Sequence, residues 1–421
     1  MKNFIVNYVF LLLVISQIDP YNRYTLFLGL PIFIILMLRH TKIPSIGLKK
    51  IVYLFLILFI GVVSGLLNLE EHNLYYSLRD VMYFIQAPIF IFMGILLYEE
   101  VKDIKKLAQI IIISSTIISM YKLFTLVINP SLIFHLGLET RYTYDLSNSS
   151  ALIAFTLLYY FSYYKIQLFN KKLIYIVYTI AILSIFLSFS RTLYILFLIV
   201  VFLKYINSSK IVFKAYFASV LLVFFLIFGG SLFEKTNTNY NQSTIMDKMS
   251  HSLEEAVIRE YKTLIDINNN WRGFEAYMGL KKYYKGNEYE LFFGQGFGSV
   301  VKTPSWIFGK QKQGLHIIPM FHNGYITILL KTGLFGIFFY FLFMFILLKH
   351  GYDLLQSKSK SKSEIKYIKT TGALLIAMSF ILFFYTLVIH GIFRTTVPML
   401  LLIPLGVLLQ YSAQNNKAVQ I

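Results

Sequence analysis

The chain has 421 residues, 57% hydrophobic and only 14% charged, too little charge to clothe a soluble domain and too apolar for disorder. The net charge of +19 would suggest nucleic acid in a soluble protein, whereas in a membrane protein cytoplasmic lysines account for it. The absence of cysteine excludes disulfides, thiolate metal sites and a cysteine nucleophile.

A helix needs roughly 20 apolar residues to cross about 30 Å of hydrocarbon. Twelve stretches read as spans, several of them extended by flanking polar residues: 4–18, 24–38, 51–69, 81–98, 107–128, 149–164, 173–189, 192–206, 211–229, 322–348, 367–389 and 395–411. The apolar run after Met1-Lys2 lacks a small-residue cleavage site, so it reads as the first span and not as a signal peptide. The expected fold is therefore an all-α polytopic membrane bundle of about 12 helices. Spans 1–9 fill residues 1–229, a long loop fills 230–321, and spans 10–12 fill 322–421.

The positive-inside rule sets the sides. With both termini in the cytoplasm, the inner loops collect most of the lysines, including the run Lys349 to Lys369. Each short outer loop keeps one basic residue: Arg23, Arg79, Arg141, Arg191 and Arg394. Of eight arginines, only Arg39 falls inside. Arginine grips phosphate bidentately where lysine is a point charge, so the outer arginines suggest a pyrophosphate or similar anionic ligand there. Chance in a lysine-biased composition is the plain alternative.

The outer segment 230–321 carries 11 basic and 9 acidic residues. Helical spacing of apolar and charged residues over 245–267 and 271–284 predicts amphipathic helices over the mouth of the bundle. Within this segment, Gly294-Gln295-Gly296-Phe297-Gly298 lacks the strand-then-helix context of a nucleotide loop and reads as a tight backbone turn. Where the chain re-enters the membrane stand His322-Asn323, with Gly333 and Gly336 farther along. Histidine takes a proton near neutral pH, Asn323 suits orienting it or donating to a sugar hydroxyl, and the glycines suit close approach of a neighbouring helix. Taken alone, His322 reads equally as an interfacial polar residue. Upstream, Ser190-Arg191 forms a polar knot between two apolar runs; Arg191 is placed there to grip a lipid-linked phosphate or to snorkel to headgroups. Arg79 beside Asp80 reads as a structural pair or as part of the outer arginine set.

His-Asn followed by the two glycines, preceded by the Ser190-Arg191 step, the loop with Arg272 and the Gly-x-Gly-Phe-Gly turn, resembles the core of the O-antigen polymerase and ligase superfamily (Wzy/WaaL-type membrane glycosyltransferases). The resemblance covers residues 184–348. Lys331 departs from it, because an acidic residue is frequent before the glycine. The resemblance implies a metal-independent, cofactor-free inverting glycosyltransferase of GT-C-like architecture. Its donor would be an oligosaccharide on undecaprenyl pyrophosphate and its acceptor a sugar hydroxyl. Arg191 and Arg272 would hold the pyrophosphate, and His322 would position or deprotonate the acceptor. Asn323, Arg141 and Arg394 are further substrate-binding candidates, the last two by side and residue type alone. The expected activity is polymerisation of O-antigen or capsular repeat units at the outer face of a bacterial plasma membrane, with membrane lipids and a chain-length regulator as partners and no nucleic acid. A ligase moving the finished glycan to a lipid core or protein shares the same motifs. A non-enzymatic flippase predicts charges deep within several spans, whereas the notable charges here cluster at the outer ends.

Overall fold

The structure is a computed structural model that describes residues 2–18, 25–40, 45–129, 149–188, 190–204, 209–228, 258, 260–261, 263–303, 317–358, 361–388, 391–393 and 398–417. Helices occupy all twelve apolar stretches. In chain order they are α1 (Lys2–Ile18), α2 (Thr25–Arg39), α3 (Ser45–Leu67), α4 (Leu74–Val101), α5 (Ile104–Ile128), α6 (Ser149–Tyr163), α7 (Lys171–Leu187), α8 (Arg191–Leu203) and α9 (Ser209–Phe228). After three short helices, α10 (Leu264–Asn269), α11 (Trp271–Tyr283) and α12 (Glu288–Phe293), come α13 (Gly324–Gln356), α14 (Lys362–Val388) and α15 (Pro398–Lys417). Runs of apolar residues without water to solvate the backbone leave helix as the form that satisfies every peptide group within the segment. Among the described residues, five helices, those of α3, α4, α5, α13 and α14, are long and apolar enough to cross a membrane; the other apolar helices are shorter. The chain is a helical membrane protein.

Two departures from the expected elements have clear causes. Helix α13 runs eight residues past the anticipated end at 348, because its polar residues find partners: His350 Nε2 lies 2.7 Å from Ser412 Oγ on α15. The all-α expectation also meets one small exception. Val301–Lys302 (β1) pairs antiparallel with Ile317–Ile318 (β2), Val301 opposite Ile318, as β-branched residues favour.

The core is built around α15, which is buried continuously from Met399 to Ala413. It lies against α4 with Gly94 and Gly406 at the contact: a Cβ on Gly94 would stand 2.1 Å from the Ile403 carbonyl oxygen. Helix α13 packs against α14 and α3 in a second unit of the same core. On the outside the chain presents large apolar side chains, among them Phe59, Phe124, Val127, Tyr175 and Phe217, as a lipid-facing surface does. Polar contacts gather helix termini into two groups. In one, Arg39 reaches Glu100 at 3.0 Å and Gln414 donates to Glu99 at 2.7 Å. In the other, the end of α3, the start of α4, the segment α11–α12 and the start of α13 converge.

Helix α13 is broken at Gly333, whose φ of 64° and ψ of −163° no side-chain-bearing residue adopts readily. Gly333 and Gly336 were expected to admit a neighbouring helix. The structure corrects this. Gly333 instead receives the 292–294 backbone, and a Cβ there would lie 2.3 Å from the Phe292 carbonyl oxygen; at Gly336 the nearest atoms belong to Thr332 of the same helix. The break leaves carbonyls of α13 in want of donors, and the glycine turn supplies them. Gln295 N–H donates to Leu330 O at 2.8 Å and Gly296 N–H to Lys331 O at 3.1 Å. Gly294, Gly296 and Gly298 all have positive φ, in keeping with the expected tight turn. Gly333→Ala is expected to cost about 1–3 kcal/mol from backbone strain alone, before the clash, and to show as a lowered melting temperature in detergent.

Candidate functional site

The site forms on α11 and on the chain just before α13. Trp271, Phe274 and Glu275 share a helix face at spacings of three and four, and Gly279 continues it one turn on. Gly279 lets α11 lie directly on the re-entering chain: a Cβ there would stand 2.6 Å from Ile326 Cγ2 and 3.0 Å from Phe321 Cζ. Phe321 is fully buried, and its N–H donates to Thr327 Oγ1 at 3.1 Å, which fixes the approach to His322. Helix α11 is in turn tied to α12, where Tyr283 O–H donates to Leu291 O at 2.7 Å. Burial and the neighbouring Tyr284 push that phenol up to about 12, so it remains a neutral donor.

The result is a carboxylate–imidazole pair. Glu275 Oε2 lies 2.6 Å from His322 Nδ1 and accepts the His322 backbone N–H at 3.1 Å. Its Oε1 accepts the Trp271 indole N–H at 2.5 Å. A carboxylate only accepts, so the hydrogen between Glu275 and the ring resides on Nδ1, and Nε2 is the basic nitrogen of the neutral imidazole. The Glu275 side chain is 7% exposed and the His322 side chain 29% exposed. The pair thus joins a shielded carboxylate to a more accessible imidazole, an arrangement that suits proton transfer.

About two turns down α13, a second charged cluster is fully enclosed. Lys331 Nζ is ion-paired with Asp80 Oδ2 and donates to Ser299 O at 2.9 Å; Asp80 and Lys331 are both 0% exposed. Asp80 also accepts the Gly298 N–H at 2.9 Å and the Arg79 guanidinium at 3.3 Å. The cluster therefore clamps α4, the glycine turn and α13 together. Charge is not confined to helix ends, as the sequence suggested: Asp80 and Lys331 lie in the second and third turns of their helices, and each is tolerated there because it has the other. The Arg79–Asp80 pair is present as read, with Arg79 also lying over the rings of Tyr76 and Tyr83.

The anticipated residues separate into groups. His322 is at the centre. Arg272 lies one turn before Glu275 on α11, half-buried. Asn323 is the N-cap of α13, its Oδ1 accepting Tyr325 N–H at 3.0 Å and Ile326 N–H at 3.4 Å. It is Glu275, and not Asn323, that orients the imidazole, because the Asn323 carbonyl is directed at the helix start. Arg191 is the first residue of α8; its side chain lies outside the described residues. Arg141 and Arg394 also lie outside them. Of the outer loop, α11 coincides with the expected helix over 271–284, α10 falls at the edge of the other, and 245–257 is outside the description. Glu275 was missed in the sequence; its spacing from Trp271 was visible, but nothing linear joins it to a histidine 47 residues on. Among the described residues, no three His, Asp or Glu side chains converge as a metal ligand set. Neither a protein-family model nor a curated protein matches the chain.

Proposed function

We propose that the chain is a membrane glycosyltransferase that joins undecaprenyl-pyrophosphate-linked oligosaccharide units into an O-antigen or capsular polysaccharide at the outer face of a bacterial plasma membrane. The observation that carries the reading is the Glu275–His322 pair at one end of an apolar helical bundle, where a lipid-linked donor and a water-borne acceptor would meet. The motif order over residues 184–348 supports the same assignment.

In the proposed reaction the acceptor hydroxyl loses its proton to His322 Nε2 as its oxygen attacks the anomeric carbon of the donor. The bond from that carbon to the pyrophosphate oxygen breaks on the opposite face, inverting the centre, and the pyrophosphate leaves with the electron pair. Glu275 holds the ring and stabilises the imidazolium that forms. Arg191 and Arg272 neutralise the charge growing on the leaving group. Arg191 opens a helix, where a cation is disfavoured by the macrodipole and an adjacent anion offsets the cost. In this reading all twelve apolar helices belong to the membrane bundle, both termini are cytoplasmic, and residues 230–321 are extracytoplasmic.

His322→Ala and Arg191→Ala are each expected to abolish chain elongation while the protein still reaches the membrane. Long chains in both variants would overturn the site. A strain lacking the gene separates polymerase from ligase. Single repeat units on the normal acceptor mark a lost polymerase; full-length chains left on the lipid carrier mark a lost ligase. The sides are checked with single cysteines, since the chain has none of its own. A cysteine at exposed Lys285 should react with an impermeant thiol reagent added outside intact cells, and one at exposed Lys358 only after permeabilisation.

A further inference from the structure

We propose that α12 and the aromatic side chains beside it insert into the membrane surface at the His322 end of the bundle, at the boundary between headgroups and acyl chains. Tyr289, Phe292 and Phe293 share one face of this short helix, at spacings of three and four. Phe293 closes that face against α13, its ring centre 5.0 Å from that of Phe335 and 4.9 Å from that of Tyr289. Phe292 lies 5.9 Å from the same Phe335 ring yet is 49% exposed, and Phe338, one turn farther along α13, is 57% exposed. Helix α13 is long and apolar enough to cross a membrane, so the exposed face of α12 continues the lipid-facing surface of a span. The turn between α3 and α4 adds to it, with Leu67, Leu69 and Leu74 exposed and Asn68 Nδ2 donating to Gln295 O at 3.1 Å.

Two further observations favour lipid over water as the occupant. The last carbonyls of α12 are met by protein donors. Gly294 N–H donates to Glu290 O at 2.8 Å, Tyr283 O–H to Leu291 O at 2.7 Å and Ser64 O–H to Phe293 O at 3.0 Å. Water would satisfy those carbonyls on its own, whereas hydrocarbon offers them nothing. The length of α13 agrees. Over residues 334–356 it rises about 35 Å, which by itself crosses about 30 Å of hydrocarbon. The boundary set by α12 then falls at the Gly333 break, and the buried stretch 324–332 lies beyond it, enclosed by protein. Exposed Lys281 and Lys285, on the preceding segment, suit the phosphate layer above the rings. The proposal needs the chain to sit in a bilayer and is independent of the glycan chemistry.

The full chain, which has no cysteine of its own, is made as the single variants Phe292→Cys, Phe338→Cys and Lys285→Cys. Each is labelled with a nitroxide and reconstituted in liposomes of phosphatidylcholine and phosphatidylglycerol. Collisions of the label with oxygen, which concentrates in hydrocarbon, and with a water-soluble nickel chelate are read by electron paramagnetic resonance. The ratio of oxygen to chelate collisions is expected to be high in Phe292→Cys, as in Phe338→Cys, and low in Lys285→Cys. If Phe292→Cys fails to fold, Tyr289→Cys on the same face carries the test with the same expected result. A low ratio on that face would overturn the proposal by placing α12 in water. A label shielded from both reagents would overturn it by assigning the face to a protein contact, and spin–spin broadening between copies would name a second chain as that contact.

Discussion

Glu275→Gln is expected to slow glycan elongation by about 10²–10⁴-fold, the range seen when a general base loses its function or its orienting carboxylate. The substitution keeps the volume and the polarity of the side chain. It removes the charge that stabilises a developing imidazolium, and it puts an N–H₂ where two acceptor oxygens stood. Glu275 Oε2 serves both the Nδ1 and the backbone N–H of His322, so an amide that turns its nitrogen toward the ring abolishes both interactions and favours the wrong tautomer. The check is single-turnover elongation in proteoliposomes supplied with lipid-linked repeat units, alongside donor binding. Donor affinity should stay near that of the wild type while the rate collapses. Trp271→Phe, which deletes only the indole N–H to Oε1, should cost far less. A Glu275→Gln enzyme as fast as the wild type would mean that the pair takes no part in the chemistry.

The second large effect is on stability. Lys331→Met should destabilise the protein by about 3–5 kcal/mol, because it leaves the enclosed Asp80 carboxylate without its principal counter-charge. Arg79 cannot replace Lys331, since its guanidinium approaches the other carboxylate oxygen at 3.3 Å and is shared with two tyrosine rings. The double variant Asp80→Asn/Lys331→Met should be more stable than Lys331→Met alone. The Asn oxygen still accepts from Gly298 N–H, and no buried charge remains. Thermal unfolding in detergent of the two single variants and the double gives the coupling directly. Additive losses would show that the ion pair does not hold the glycine turn in place.

The sequence discloses what is local and repetitive. Apolar runs announce their helices: each of the twelve stretches holds a helix, and five helices among the described residues are long and apolar enough to cross a membrane. The turn at 294–298 was legible because three glycines in five residues signal positive φ wherever they stand. The site was legible only in part. His322 and Arg272 stand in motifs, but Glu275 acquires meaning only when α11 is laid across Phe321 by Gly279, a contact no local pattern encodes. The same holds for Lys331. Read along the chain it is a stray cation in an apolar helix; its partner is 251 residues away on α4. The glycines of α13 show the opposite error. Their spacing matched helix packing, whereas Gly333 serves a backbone-to-backbone contact that requires a break in the helix. Spacing records which residues share a face, and carries no record of where a helix stops being one.

The central position of α15 has a bearing on biogenesis. Helix α15 emerges from the ribosome after α1 to α14, yet it is buried within the bundle, seated against α4 where Gly94 and Gly406 touch. During insertion the earlier helices must therefore wait with a vacant slot among them, α4 exposing a glycine face to lipid or to the translocation machinery until α15 arrives. Assembly is then gated by that arrival. A ribosome that stops before Pro398 releases a bundle with its centre missing, a natural substrate for membrane proteases, so such truncated chains should be cleared quickly.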